Sequence, residues 1–307
     1  FYTVTLDNKV KVELTAALRS GVQRYTFPKN SDAYVQLDLG FSINWDSPVE
    51  TYIKIESPTR IVGYRLSKGW AEDQRVYFAS EFSKPFSLHW LGNDTTLPQG
   101  STEFKSKKVK AVFKFDFNQV LIRTAISSVS IESAKANLVA DKADQSFETI
   151  RTTALKQWNK ELNKIQVKSK DKNLLVTFYT SLYRTMLAPV IFSDADGGYK
   201  SPDEKIHKTG GFTKYSIFSL WDTFRAAHPL FTITQLERIS DMINSMLAHY
   251  REYGLLPVWE LDGNETNCMI GYHAIPVIAD AVLKGFKGFD INEAFTAMKL
   301  SAMQDQF

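Results

Sequence analysis

Apolar and polar residues alternate with a period of two along the first 132 positions. Lys9-Val10-Lys11-Val12-Glu13-Leu14, Tyr34-Val35-Gln36-Leu37-Asp38-Leu39 and Thr51-Tyr52-Ile53-Lys54-Ile55-Glu56 each put apolar side chains on one face of an extended segment. Residues 75–82, 109–117 and 120–131 continue the pattern, and Asn, Asp, Gly and Pro clusters separate them at the spacing of an antiparallel sandwich. Residues 1–132 are therefore expected to form an all-β sandwich domain. Near Glu132 the period lengthens: residues 133–167 are rich in Ala, Lys, Gln and Glu, with Phe147, Ile150, Ala154, Leu155 and Trp158 at helical spacing. A helical linker is expected there. Beyond it the pattern predicts a helix over 174–187 ended near Pro189, a turn-rich loop over 194–213, and four or more further helices. No strand-like alternation returns, so residues 168–307 are expected to be helical. A loop of that length inside a compact domain is more often functional than idle.

Three helix starts carry the capping-box pattern, in which a hydroxyl or carboxylate and an acid three residues on satisfy orphan amides: Ser219 with Asp222, Thr234 with Glu237, and more loosely Asp290 with Glu293. The first overlaps the most unusual stretch of the chain, residues 219–271, where aromatic and charged residues gather where the backbone changes direction. Asp222 can close the first turn of its helix, or, flanked by Trp221 and Arg225, it can line a polar-ligand pocket. Glu260 and Glu265, in Trp259-Glu260-Leu261-Asp262-Gly263-Asn264-Glu265, also have two readings. They can be a carboxylate pair of the kind glycosidic hydrolysis needs, or acids drawn to the start of a helix running from Gly271 to Lys284. Trp259 can be core or the floor of a sugar site, its flat face meeting the C–H groups of a pyranose.

Composition narrows the classes. With 307 residues, 44% of them hydrophobic, the chain can bury two cores. A formal net charge of +3, with neither half strongly basic, gives no footprint for nucleic acid. Cys268 is the one cysteine, which excludes a disulfide framework, and no apolar run reaches the length of a membrane-spanning segment. Asp194-Ala195-Asp196-Gly197-Gly198 lacks the later ligands of a calcium loop and reads as a turn. His207, His228, His249 and His273 lack zinc-ligand spacing, and Lys105, Lys107, Lys108 and Lys110 read as the solvated edge of one strand.

Longer motifs carry a family resemblance. Arg24-Tyr25-Thr26-Phe27-Pro28, Leu66-Ser67-Lys68-Gly69-Trp70-Ala71-Glu72-Asp73-Gln74 and Glu81-Phe82-Ser83-Lys84-Pro85-Phe86 resemble the amino-terminal β-domain of glycoside hydrolase family 92. Ser219-Leu220-Trp221-Asp222-Thr223-Phe224-Arg225 and the run from Leu256 to His273 resemble its helical domain. The resemblance implies an inverting, calcium-dependent exo-α-mannosidase of α+β multidomain build, with a β-sandwich, a helical linker and an (α/α)6-type barrel. It implies that Trp221 and Asp222 grip the terminal mannose with Arg225 beside them; Glu260 and Glu265, from their own place in the chain, stay as further substrate-binding candidates. The expected substrates are mannose-containing glycans, N-glycans or yeast mannan with α-1,2 linkages foremost, met in a bacterial periplasm, at the cell surface or after secretion. The family's acid and base motifs do not occur before Phe307, and a full barrel needs about twelve helices, roughly twice those found. The chain is thus expected to be a fragment holding the first part of the barrel, with acid and base outside residues 1–307, metal ligands unassigned, and the rest of the polypeptide completing the barrel. Two other readings remain: a non-catalytic carbohydrate-binding protein using Trp45, Trp70 or Trp90, and another (α/α)-barrel hydrolase such as a phosphorylase or trehalase relative.

Overall fold

The computed structural model describes residues 1–96, 98–142 and 144–304. Ala143, inside the expected linker, and residues 305–307, at the end of the expected helical domain, lie outside the described residues. The chain forms two units, Phe1–Lys156 with Asp194–Asp196, and Gln157–Ser193 with Gly197–Phe307.

The first unit contains strands β1 (Tyr2–Thr5), β2 (Lys11–Ala16), β3 (Ser20–Thr26), β4 (Ala33–Asp38), β5 (Ser47–Ser57), β6 (Arg60–Lys68), β7 (Gln74–Phe82), β8 (Phe86–Gly92), β9 (Glu103–Ser106), β10 (Lys110–Phe115) and β11 (Gln119–Ser127). All pairings are antiparallel, in one sheet ordered β1-β2-β3-β11-β7-β6-β5-β9 and a second ordered β4-β10-β8. The alternation seen in the sequence is the cause: Ala111, Phe113 and Phe115 of β10 point inward while Lys110 and Lys114 reach Asp94 and Asp32 outside. Phe82, Phe86, Phe113 and Phe115 interlock between the sheets, with Phe86 and Phe113 ring centres 5.0 Å apart. The basic run is split between two strands. Lys105 lies on β9, an edge strand, and Lys110 on the central strand of the smaller sheet.

Helix α1 (Ile131–Ala140), capped by Ser130 accepting from the Ser133 amide, covers the other face of the large sheet through Ala134 and Leu138 against Val62, Ala79 and Ala125. Phe147 and Ile150, at the start of α2 (Phe147–Leu162), do the same over Val22. Asp194–Asp196 joins this unit because the buried Asp194 carboxylate accepts from Ser127 Oγ at 2.6 Å and Asn137 Nδ2 at 2.7 Å. The expected turn forms at Ala195 and Asp196.

The second unit is built on α3 (Lys172–Thr185), α4 (Leu220–Thr223), α5 (Ala227–Thr234), α6 (Ile239–Tyr253), α7 (Ala274–Leu283) and α8 (Ile291–Met303). Helix α6 presents Ile239, Met242, Ile243, Met246 and Leu247, a three-and-four spacing, to α7 and α8, whose Ala274, Ala281, Ala294 and Ala297 allow close approach. Gly254 at φ 97° ends α6. Among the described residues the helices pair without closing a barrel, and none is long and apolar enough to cross a membrane.

Three expectations need correction. Short strands do return: β12 (Val190–Ile191), β13 (Gly198–Lys200), β14 (Ile206–Lys208), β15 (Tyr215–Ser216), β16 (Phe218–Ser219), β17 (Trp259–Leu261) and β18 (Asn264–Glu265). At two or three residues each they are too short for a period to show. Among the described residues Thr234 caps no amide: it is the last residue of α5 and its hydroxyl donates back to the Leu230 carbonyl at 3.0 Å. The capping box at Ser219 is also absent: among the described residues its side chain caps no backbone amide of α4, and its hydroxyl donates to the Asp222 carboxylate. The third helix start forms as expected at Asp290, which accepts from the amides of Asn292 and Glu293, whereas Glu293 itself turns to Arg251.

Candidate functional site

Segments 215–219 and 259–265 meet in one ribbon. Strand β15 pairs with β12, the chain turns sharply at Ile217, and β16 then pairs with β17 through Phe218 opposite Glu260 and Ser219 opposite Trp259. Strand β17 folds back on β18 across Asp262 and Gly263, at φ 50° and 68°. A two-residue hairpin of matching twist needs both central residues left-handed, which is why Asp-Gly stands there. No larger residue fits at Gly263, since a Cβ would lie 2.4 Å from the Lys200 carbonyl oxygen.

Helix α4 leaves β16 directly. Leu220 and Phe218 are its anchors, both fully buried, and Phe218 stacks on His228. Burial pushes the His228 pKa down to about 4, so the ring is neutral. With the apolar positions facing inward, Trp221, Asp222 and Arg225 are left exposed together on α4 and just beyond it. The Asp222 carboxylate receives the Ser219 hydroxyl, and Thr223 Oγ1 donates to the Ser219 carbonyl at 3.0 Å, which ties the turn to its own start. Beside it Phe224 lies flat on His273, ring centres 4.2 Å apart, and the Arg225 guanidinium lies 5.0 Å from the Phe224 ring. An indole face next to a carboxylate, both open to solvent, can pack on the C–H face of a sugar and accept from its hydroxyls.

Glu260 and Glu265 are placed differently from expectation. They oppose each other in the β17–β18 ladder, neither begins a helix, and both carboxylates are inside the protein. Glu260 accepts from Ser216 Oγ at 3.0 Å and Gly263 N at 2.9 Å on one oxygen, and from Ile217 N at 3.0 Å on the other. Burial pushes its pKa up to about 7 against the pull of the Lys214 charge and these bonds. Lys214 is itself buried, donates to the Ser245 carbonyl at 2.9 Å, and has its pKa lowered by that burial. Glu265 accepts from the amides of Val258, Trp259 and Asn267 at 2.8–3.0 Å. His249 lies 3.4 Å from Glu265, yet burial pulls its pKa down to about 3, so the ring is neutral and its Nδ1 donates to the Leu255 carbonyl. A sugar hydroxyl would have to displace the chain's own amides from either carboxylate. The two acids therefore support the ribbon, and the exposed α4 residues remain as the face a ligand can reach.

Sequence reasoning missed Ser216, Ile217, Lys214 and Leu220, which set this geometry. Asp262-Gly263 was the available signal, the hairpin signature that would have separated Glu260 and Glu265 from a helix start. Trp45 and Trp70 are exposed between strands of the first unit, and Trp90 lies on β8 beside Tyr34. A separate open cleft of about 480 Å³ is lined by Tyr199, Asp203, His207, Phe212, Arg251 and Glu252. Its polar groups are occupied: His207 by Asp203 at 3.0 Å, Arg251 by Glu293 at 2.8 Å, and Glu252 by Tyr199 and Ser201. Among the described residues no three His, Cys, Asp or Glu side chains form a group that could hold a metal ion. The described residues thus do not supply such a donor set for calcium.

Comparison with known proteins agrees over the whole chain. The sequence model of the glycosyl hydrolase family 92 N-terminal domain matches residues 1–127, and that of the family 92 catalytic domain matches residues 133–306. Among solved structures, the family GH92 α-mannosidase BT3965 from Bacteroides thetaiotaomicron is 39% identical with a TM-score of 0.95, covering 100% of this chain and 43% of its own. That enzyme has also been solved in complex with mannoimidazole. The inverting mannosidase BT2199 from Bacteroides thetaiotaomicron VPI-5482 is 32% identical with a TM-score of 0.88, covering 97% of this chain and 40% of its own. The chain thus spans less than half the length of these solved chains. Comparison with curated proteins finds no match.

Proposed function

The chain belongs to glycoside hydrolase family 92, and we propose that it supplies the mannose-gripping face of an α-mannosidase that removes terminal mannose from α-mannosides with inversion. The observation that carries this reading is the exposed Trp221–Asp222 pair on α4, anchored by Leu220 beneath and by the Ser219 hydroxyl on Asp222. Trp221 packs against the sugar's C–H face, and Asp222, held in one orientation by Ser219, accepts from its hydroxyls. Arg225, exposed one helical turn on, contributes charge near Asp222. We place the general acid and base outside these 307 residues. Supporting this, Glu260 and Glu265 are committed to backbone amides, and the relatives are more than twice as long. Inversion, the mechanism ascribed to BT2199, requires the two carboxylates to stand about 6.5–9.5 Å apart with water between. Calcium belongs to the proposal for the full-length protein, and none of these contacts runs through it. So do α-1,2 linkage preference, N-glycan or mannan substrates, and a bacterial periplasmic, surface or secreted address, which suits glycans that lie outside cells.

The test is mannose release from α-1,2-, α-1,3- and α-1,6-mannobiose by the full-length protein, with calcium and with a chelator, the first-formed anomer read by NMR. Expected are β-mannose as the initial product, fastest release from the α-1,2 substrate, and loss of release with the chelator. Initial α-mannose would overturn inversion, and no mannose release at all would overturn the activity.

A further inference from the structure

Ile217 has φ 68°. A β-branched residue in the left-handed region is a genuine outlier, and such a conformation persists only where the surroundings over-determine it. The group that does so is the Glu260 carboxylate, whose second oxygen takes the Ile217 amide at 3.0 Å. Its first oxygen takes Ser216 Oγ and the Gly263 amide. Ser216 Oγ in turn receives the amide of Asp262, the second left-handed residue, φ 50°, at 2.8 Å. One buried side chain therefore holds two left-handed corners, at Ile217 and at the Asp262-Gly263 turn. The first corner sets the direction of the next segment: Phe218 and Ser219 leave Ile217 as β16, and α4 begins immediately after, carrying Trp221 and Asp222. A rotation at Ile217 would swing β16 off β17 and redirect both the indole and the carboxylate that follow it.

We propose that Glu260 is a positioning residue, whose carboxylate holds the Ile217 corner and so orients Trp221 and Asp222 toward mannose. This rests on the reading of that pair as the mannose-gripping face, and goes beyond it by assigning the sugar contact's geometry to a residue that never meets the sugar.

The experiment compares Glu260→Gln, Ile217→Gly and the double variant in the full-length protein, with Asp222→Ala as reference. Mannose Kd is read by calorimetry, KM and kcat on α-1,2-mannobiose, and amide hydrogen exchange over residues 214–224. Gln keeps the volume of Glu but, read above pH 7 where Glu260 is ionised, replaces one acceptor with a donor facing the chain's own donors. Glu260→Gln is expected to raise Kd and KM on the order of 10–100-fold, with a smaller change in kcat and faster exchange across the corner. Glycine adopts positive φ freely, so in the Ile217→Gly background the same change should cost several-fold less. A merely structural loss would couple the two sites in the unfolding midpoint, since they are in contact, but would leave the Kd of the folded protein unmoved. An unchanged Kd in Glu260→Gln, or strictly additive effects in the double variant, with Asp222→Ala still weakening binding about 10–100-fold, overturns the inference alone. A mannose Kd unchanged by Asp222→Ala overturns the parent reading instead. Should Glu260→Gln not fold, Glu260→Asp, which withdraws the carboxylate by one methylene, is read by the same criteria.

Discussion

Replacing Gly263 with alanine tests the ribbon most directly, because two independent costs meet at one position. The residue sits at φ 68°, where an L side chain costs about 1–2 kcal/mol. The new Cβ would also lie 2.4 Å from the Lys200 carbonyl oxygen and 3.1 Å from its carbon. A backbone oxygen cannot swing aside as a side chain can. Relief must come from moving either Lys200, on β13, or the β17–β18 turn, and overpacking of this kind adds about 1–3 kcal/mol. The sum is about 2–5 kcal/mol. Gly254 is the internal control, since it too has positive φ, 97°, yet beyond its own chain neighbours nothing lies within 4 Å of its would-be Cβ. Gly254→Ala should show the conformational cost alone, about 1 kcal/mol. With a urea slope of about 3 kcal/mol/M, the midpoint should fall by about 1 M in Gly263→Ala and by about 0.3 M in Gly254→Ala. Equal midpoints for the two variants would refute the claim that the Lys200 carbonyl closes this turn against any side chain.

Asp222 is exposed, so Asp222→Ala should leave the urea midpoint within error while lowering kcat/KM about 10–100-fold, the worth of one or two hydrogen bonds to a charged group; a stability loss with an unchanged rate would make it a structural residue of the turn. Glu260, with its pKa pushed from 4.5 to about 7, keeps in the folded chain a proton that the unfolded chain has released. Its contribution is therefore fully present below pH 4.5 and is lost as pH rises through 7, at about 1.4 kcal/mol per pH unit. His228 and His249, pulled down to about 4 and about 3, act oppositely, their stability being lost as pH falls below 6.5. Subtracting the Glu260→Gln stability curve from that of the native protein isolates the first slope, with Lys214 and Asp262 as the charges facing it; a flat difference between about pH 5 and 7 would refute the assignment. Phe113, wholly buried among Phe82, Phe86 and Phe115, should cost about 3–5 kcal/mol on replacement by alanine, read as loss of the sandwich's unfolding transition at lower urea.

Much of this molecule was legible without coordinates. The two-residue period of Lys110 to Phe115 names both the strand and its inward face, because a pleated strand has only two sides. The spacing of Ile239, Met242, Ile243, Met246 and Leu247 does the same for α6, and Asp290 is recognisable as a cap because the bond it makes is to amides two and three residues away. Long motifs such as Ser219 to Arg225 were sufficient to show the family resemblance. All of these are local relations, encoded within a turn of helix or a few strand residues.

What tertiary structure alone decided was the use of the acids. Asp222, Glu260 and Glu265 look alike in sequence, each beside a tryptophan or a turn. One is exposed on α4, and two are buried on β17 and β18 with three donors apiece. For Glu260 the difference is made by partners more than forty residues away, Ser216 and Ile217; the donors to Glu265 lie within seven residues of it, on strands of two or three residues whose only local signal is the Asp262-Gly263 turn. A carboxylate's free energy depends on whether water or backbone amides surround it. For Glu260 that is a property of where distant segments meet, and no window along the chain contains it.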